Sequence, residues 1–343
     1  MLSRGDILAG DYVIDSLIGK GGMSCVYRAR MQDQPQCMVA VKELPATARL
    51  ASGLRVDQGI SSQMSLMKRV DHPGIAKLLD AFRWESCFYL VFEYVEGRSL
   101  QSMVASEGPL PERQVLAWAL ELCDILGYLH GLKPAVVYRD MKPGNVLVDE
   151  SGALKLVDLG IAREFKSASD QEKDTVAFGT QGYAPPEQYG SAQTDARADI
   201  YALGCTLWHL LSGFPPPMEF PLPDVRTVNP QVSEGCAALI ARCTQLDRQQ
   251  RYQSCDQLAA NVRHLLGEGG PAARLAAAFK QLLKPRAQVM AAAPAPQPAP
   301  DLFLEDVPTT VLSAAQRATG ELPAAAGDFF FVVVQSECFT AAE

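Results

Sequence analysis

The spacing of apolar positions changes once along this chain. From residue 11 to about 83 it is short: β-branched and aromatic residues cluster at 12–18, 25–30 and 37–42, and only 61–70 has the three-to-four-residue spacing of a helix. Residues 88–94 read as a further apolar strand, with Val95-Glu96-Gly97 after it as a turn or hinge. Beyond that point helical spacing prevails at 112–130, 198–211, 234–245 and 255–266, interrupted by short strand-like runs at 136–148 and 154–157. The pattern predicts an α+β chain of two lobes, a small β-rich N-lobe with one helix (about 11–94) and a larger helical C-lobe (about 95–266).

The pattern stops near Gly267-Glu268-Gly269-Gly270-Pro271, which places a domain boundary close to Leu266. Residues 267–343 read as an Ala/Pro-rich, largely disordered tail, with the run AAAPAPQPAP at 291–300. Within it, 271–286 reads as a short basic amphipathic helix: Leu275, Phe279, Leu282 and Leu283 recur on one side among Arg274, Lys280, Lys284 and Arg286. Such a helix packs beside its own domain or meets a membrane or partner. A terminal apolar segment, 329–334, is dense in β-formers and has the character of a strand that adds to a partner sheet or aggregates when exposed.

Composition narrows the class. At 343 residues and 48% hydrophobic content the chain can bury a sizeable core. A net charge of -8 argues against a general nucleic-acid binder, because phosphate backbones attract basic surfaces. The nine cysteines are scattered singly, with no C-x-x-C pair, which fits a reducing, cytoplasmic setting and argues against a structural zinc site. Most read as small buried hydrophobes, whereas Cys25 in a glycine-rich loop is expected near nucleotide and solvent. The first residues lack the apolar core of an export signal, and no run approaches the roughly 20 residues of a transmembrane segment.

Candidate chemistry concentrates in Tyr138-Arg139-Asp140-Met141-Lys142-Pro143-Gly144-Asn145 and in Asp158-Leu159-Gly160. Two carboxylates, an amine and an amide at this spacing suit phosphoryl transfer: Asp140 to orient a hydroxyl and accept its proton, Lys142 to meet the transferring phosphate, Asn145 and Asp158 to hold magnesium. Upstream, Ile18-Gly19-Lys20-Gly21-Gly22-Met23-Ser24-Cys25-Val26 lies between two strand-like runs, and its glycines let backbone amides approach phosphates. Val39-Ala40-Val41-Lys42 follows at the distance from which a strand lysine reaches the α- and β-phosphates. The spacing is wrong for a Walker A loop, whose lysine directly follows the last glycine.

In this order, the glycine loop, VAVK ending at Lys42, Asp71-His72-Pro73-Gly74-Ile75, YRDMKPGN, DLG, GTQGYAPPE (179–187), Asp199 in RADIYALG and Arg251-Tyr252 resemble the bacterial eukaryotic-like (Hanks-type) serine/threonine protein kinases over residues 11–266. The resemblance implies the two-lobed protein kinase fold and the use of ATP with Mg2+, for which Mn2+ can substitute. It makes Phe92 the gatekeeper, Glu93 and Val95 the hinge backbone that bonds adenine, and Val26, Ala40 and Leu147 the apolar walls around the base. Glu187 would pair with Arg251 to hold the end of the activation segment, and Asp199 would brace the catalytic loop. Lys142 and Thr180 together imply protein Ser/Thr acceptors. Among Ser167, Ser169 and Thr175, Thr175 is the expected site of autophosphorylation, its phosphate pairing with Arg139. Thr309 and Thr310, preceded by acids and followed by aliphatics, resemble a docking site for a forkhead-associated domain.

Three positions depart from the family pattern: Tyr138 for His, Leu159 for Phe, and Gln63 where the helix glutamate that pairs with the strand lysine is expected. The last leaves two readings open, an active kinase with Lys42 less well held and an ATP-binding pseudokinase that acts as a scaffold or sensor. A small-molecule kinase of related fold is disfavoured by the peptide-binding GTQGYAPPE segment.

Overall fold

The computed structural model describes residues 1–21, 24–47, 56–158, 163–164, 180–189 and 194–267, without the side chains of 56–59, 61–63, 163–164 and 189. The N-lobe begins with β1 (Ile7–Leu8), β2 (Tyr12–Lys20), β3 (Cys25–Met31) and β4 (Met38–Pro45), followed by α1 (Val56–Arg69), β5 (Leu78–Trp84) and β6 (Cys87–Glu93). Its strands form one antiparallel sheet in the order β1-β2-β3-β4-β6-β5. Alternation on β4 and β6 divides the sheet into two apolar faces. Val39, Val41, Tyr89 and Val91 join Tyr12, Ile14 and Tyr27 in an outer cluster. Leu44 and Leu90 instead face α1, meeting Ile60, Leu66, Met67 and Val70.

The C-lobe follows with β7 (Gly97–Ser99), α2 (Leu100–Glu107), α3 (Glu112–Gly131), β8 (Val136–Val137), a 3-10 turn at Pro143–Asn145, β9 (Val146–Asp149), β10 (Leu154–Leu156), β11 (Arg163–Glu164), α4 (Arg197–Ser212), α5 (Glu234–Cys243) and α6 (Cys255–Leu265). Every residue of α4 from Ala198 to Ser212 is buried, as expected of a helix apolar on nearly all sides. α3 packs on it through Val115, Leu122 and Leu129, and α5 and α6 complete the same core. Ser233 and Ser254 cap α5 and α6 by accepting from Cys236 N and Gln257 N.

The elements read from the sequence are present, with ends shifted by a few residues; α1, read as 61–70, starts at Val56. Five strands and helices among the described residues were not anticipated: β1, β5, β7, β11 and α2. Cys123, Cys205, Cys236, Cys243 and Cys255 are buried, as expected of small hydrophobes, while Cys25, Cys37 and Cys87 are partly exposed. The tail expectations for 271–286, 291–300, 329–334, Thr309 and Thr310 lie outside the described residues.

Candidate active site

The glycine-loop expectation falls on the β2–β3 hairpin. Gly19 pairs with Val26 and Lys20 with Cys25, and Gly21 N donates to Ser24 O at 2.8 Å. Gly22 and Met23 lie outside the described residues, and Ile18 is exposed. Directly paired residues share a face of a sheet, so the pairs Val26–Lys42, Ala40–Phe92 and Lys42–Leu90 put Val26, Ala40, Lys42 and Phe92 on the inner face. Cys25 pairs with Glu43 on the opposite face, where Glu43 accepts from Tyr27 at 3.0 Å and Tyr89 at 2.9 Å. The expectation of a thiol beside the nucleotide is therefore corrected: its strand register turns Cys25 into the outer cluster.

At the back of the cleft, Glu93 closes β6, and its carboxylate accepts from Lys155 Nζ of β10 at 2.8 Å. Backbone bonds from Leu156 N to Gly74 O (2.7 Å) and from Ala76 N to Leu156 O (3.0 Å) also join the lobes. Val95 lies in the link between β6 and β7, and Leu147 on β9 pairs with Ser99 and Lys155.

Lys42 reaches across to Asp158, its Nζ 2.6 Å from Oδ1 and 2.7 Å from Oδ2. Asp158 has φ +62, in the left-handed region that costs a non-glycine residue on the order of 1–3 kcal/mol. Its neighbour Val157 is held from both sides: Val157 N donates to Asn145 O at 2.9 Å, and Tyr138 Oη donates to Val157 O at 2.7 Å. Tyr138 is fully buried, and burial raises its phenol well above the usual range, so it stays a neutral donor. Gln63 belongs to α1, and its side chain lies outside the described atoms.

The catalytic-loop residues converge on one carboxylate. Asp140 accepts from Thr180 Oγ1 at 2.8 Å on Oδ1 and from Asn145 Nδ2 at 2.7 Å on Oδ2. Lys142 Nζ donates to Thr180 Oγ1 at 2.7 Å and lies 3.0 Å from Asp140 Oδ2. Thr180, expected to speak to acceptor type, thus joins Asp140 and Lys142 directly. Beneath them the fully buried Asp199 accepts from Tyr138 N (2.8 Å), Arg139 N (2.7 Å) and His130 Nε2 (2.8 Å), fixing the loop from α4. Arg139 itself has φ +69.

Two buried pairs anchor the peptide-side segment to the C-lobe. Arg251 forks onto Glu187, with Nη1–Oε1 at 2.5 Å and Nη2–Oε2 at 2.9 Å, a bidentate geometry that resists rotation. Tyr183 Oη lies 2.5 Å from His209 Nδ1, and burial lowers that imidazole to about 4, leaving it neutral and able to accept. The Tyr183–His209 pair and the Tyr138 hydroxyl bond carry no local sequence signal and were missed. Ser167, Ser169, Thr175 and Leu159 lie outside the described residues.

Carboxylate and amide oxygens at Asp158 and Asn145 form a hard donor set, which fits magnesium. Among the described residues there is no cluster of three or more His, Cys, Asp or Glu that could enclose a metal.

A family profile described as "Protein kinase domain" matches residues 12–262, and the chain belongs to that family. Among its relatives, the serine/threonine-protein kinase PknB of Mycobacterium leprae is 30% identical over 271 residues, covering 74% of this chain and 43% of the relative. The serine/threonine-protein kinase PrkC of Bacillus subtilis is 29% identical over 273 residues, covering 76% and 41%. The chain thus spans about two fifths of the length of these curated relatives. A crystal structure of the PknI kinase domain of Mycobacterium tuberculosis superposes with a TM-score of 0.63 at 25% identity, covering 78% of this chain and all of that one. Use of ATP with a divalent cation is general to this family. Among the described residues no helix is long and apolar enough to cross a membrane.

Proposed function

We propose that this chain is a serine/threonine protein kinase that transfers the γ-phosphate of Mg-ATP to protein hydroxyls and to itself, with residues 11–266 as the catalytic domain. The observation that carries the reading is the Asp140–Thr180–Lys142 triangle with Asn145 at its edge, all within 2.7–3.0 Å. Asp140 faces the acceptor hydroxyl, orients it and accepts its proton. Lys142 offsets the negative charge that migrates with the phosphoryl group, and Thr180 bridges the amine and the carboxylate, which also touch directly. Lys42 meets the α- and β-phosphates beneath the glycine loop, while Val26, Ala40, Leu147 and Phe92 enclose the adenine and the backbone at Glu93 and Val95 bonds it. Asn145 and Asp158 hold magnesium, or manganese in its place, which when bound neutralises the phosphate charge.

The pseudokinase alternative rested on Gln63. Against it stand the relatives, named serine/threonine-protein kinases, and the retained Asp140, Lys142, Asn145 and Asp158. The reading further places the protein in the cytoplasm, with Thr175 as an autophosphorylation site and phosphorylated Thr309 or Thr310 read by a forkhead-associated domain. Incubation with radiolabelled ATP and Mg2+, beside an Asp140→Asn variant, tests the reaction. A general base contributes about 10²–10⁴-fold, so the variant should lose label by at least about a hundredfold. Equal incorporation by both proteins, on themselves and on a basic generic substrate, would sink the proposal.

A further inference from the structure

Gln188 directly follows the GTQGYAPPE run and is buried, with 5% of its surface accessible. A buried side-chain amide is costly unless it is hydrogen-bonded, and the group this one reaches lies on the catalytic loop. Gln188 Nε2 donates to Arg139 O at 3.1 Å. The glutamine is itself held from behind: its backbone N donates to Pro185 O at 2.9 Å, and the preceding Glu187 is forked by the buried Arg251. The end of the peptide-side segment therefore presents a fixed donor to the residue before Asp140.

Arg139 is the point on the loop where such a donor matters most. Its φ of +69 lies in the left-handed region, which a residue with a Cβ keeps only where its surroundings over-determine it. Two rigid peptide planes flank Arg139, and each is held by a different element. In the first, Arg139 N donates to Asp199 Oδ1 of α4 at 2.7 Å; in the second, Arg139 O accepts from Gln188. The second plane ends at the Cα of Asp140, so its orientation sets where the Asp140 side chain starts from. Thr180, at the other end of the peptide-side segment, donates to Asp140 Oδ1 at 2.8 Å. The segment thus meets the base twice, at its carboxylate through Thr180 and at its backbone through Gln188.

We propose that Gln188 is a positioning residue for the phosphoryl transfer: it locks the left-handed turn at Arg139, aims Asp140 at the acceptor hydroxyl, and so couples the seating of the peptide-side segment to the catalytic loop. The inference rests on the reading of Asp140 as the group that accepts the hydroxyl proton. Gln188 acts through the loop backbone, so its loss should lower kcat and leave KM for ATP in place.

Steady-state kinetics of the full chain on a basic generic substrate test it through a double-mutant cycle. Gln188→Met keeps the length of the side chain and removes the donor. A neutral hydrogen bond is worth about two- to tenfold, so kcat should fall by that factor while KM for ATP changes by less than about twofold. Arg139→Ala and Arg139→Gly both remove the guanidinium, but only glycine adopts a positive φ freely. Gln188→Met should therefore cost its full factor in the Arg139→Ala background and no more than about half of it in the Arg139→Gly background. An equal loss in both backgrounds would make Gln188 a merely structural contact and overturn the proposal, as would an unchanged kcat in Gln188→Met. Gln188→Glu, which keeps the shape and turns an oxygen towards Arg139 O, takes the same cycle if the methionine variant does not fold. Asp140→Asn alongside separates the two readings. Retained turnover there sinks the assignment of the base itself, whereas lost turnover there with full turnover in Gln188→Met sinks only the role of Gln188.

Discussion

Lys42 lies 2.6 Å from a carboxylate that the proposed chemistry also assigns to a metal. A helix glutamate would give the lysine its own partner and release Asp158, yet this chain has Gln63. A charged hydrogen bond exceeds a neutral one by about 1–1.5 kcal/mol, worth roughly tenfold in rate. Gln63→Glu should therefore raise kcat/KM for ATP by up to about tenfold in steady-state assays; an unchanged value would mean that Asp158 meets both demands unaided. His209 makes a separate prediction. Its folded value, about 4, lies below the usual 6.5. The unfolded chain therefore binds the proton more readily, and the stabilisation, complete above the unfolded value, is lost as pH falls from 6.5 towards 4, by about 2 kcal/mol at pH 5. His209→Gln keeps an acceptor for Tyr183 and should flatten that part of the melting-temperature profile between pH 7 and 5.

At the scale of elements, α4 is the platform on which the catalytic loop rests. Asp199 is fully buried and takes three donors, two of them the amides of Tyr138 and Arg139. An asparagine would turn an NH2 group towards one of those donors. Asp199→Asn should cost about 2–4 kcal/mol of stability and lower kcat far more than it weakens nucleotide binding, as denaturant melts and nucleotide titrations would report. Elements were legible where a single face is buried: the alternating β-branched residues of β4 and β6 and the long apolar stripe of α3 announce themselves. β5 has a weak alternation because Asp80, Arg83 and Trp84 leave it largely exposed, and α2 buries only Leu100 and Val104. The catalytic residues were legible because they cluster within one loop. The pairs that hold them were not, since Tyr138 meets Val157 19 residues away and Tyr183 meets His209 26 residues away.

Across the whole molecule, the lobes are joined by backbone bonds around Ile75 and by Lys155 on Glu93. That pair is partly exposed, with side chains 18% and 37% accessible, so its removal should cost at most about 1 kcal/mol. Lys155→Met is expected to raise KM for ATP by no more than about fivefold and to quicken amide exchange at 94–96, leaving kcat nearly unchanged. A larger field acts as well, for a chain of net charge -8 must admit an anionic nucleotide. Because Asp158 lies against Lys42, the deepest point of the cleft offers little electrostatic pull, and nucleotide entry becomes an exchange of ionic partners. Nucleotide association in stopped-flow should then be slow for a charged ligand and nearly insensitive to ionic strength. In Asp158→Asn the exposed ammonium should quicken capture and make it fall steeply with added salt, while turnover is lost.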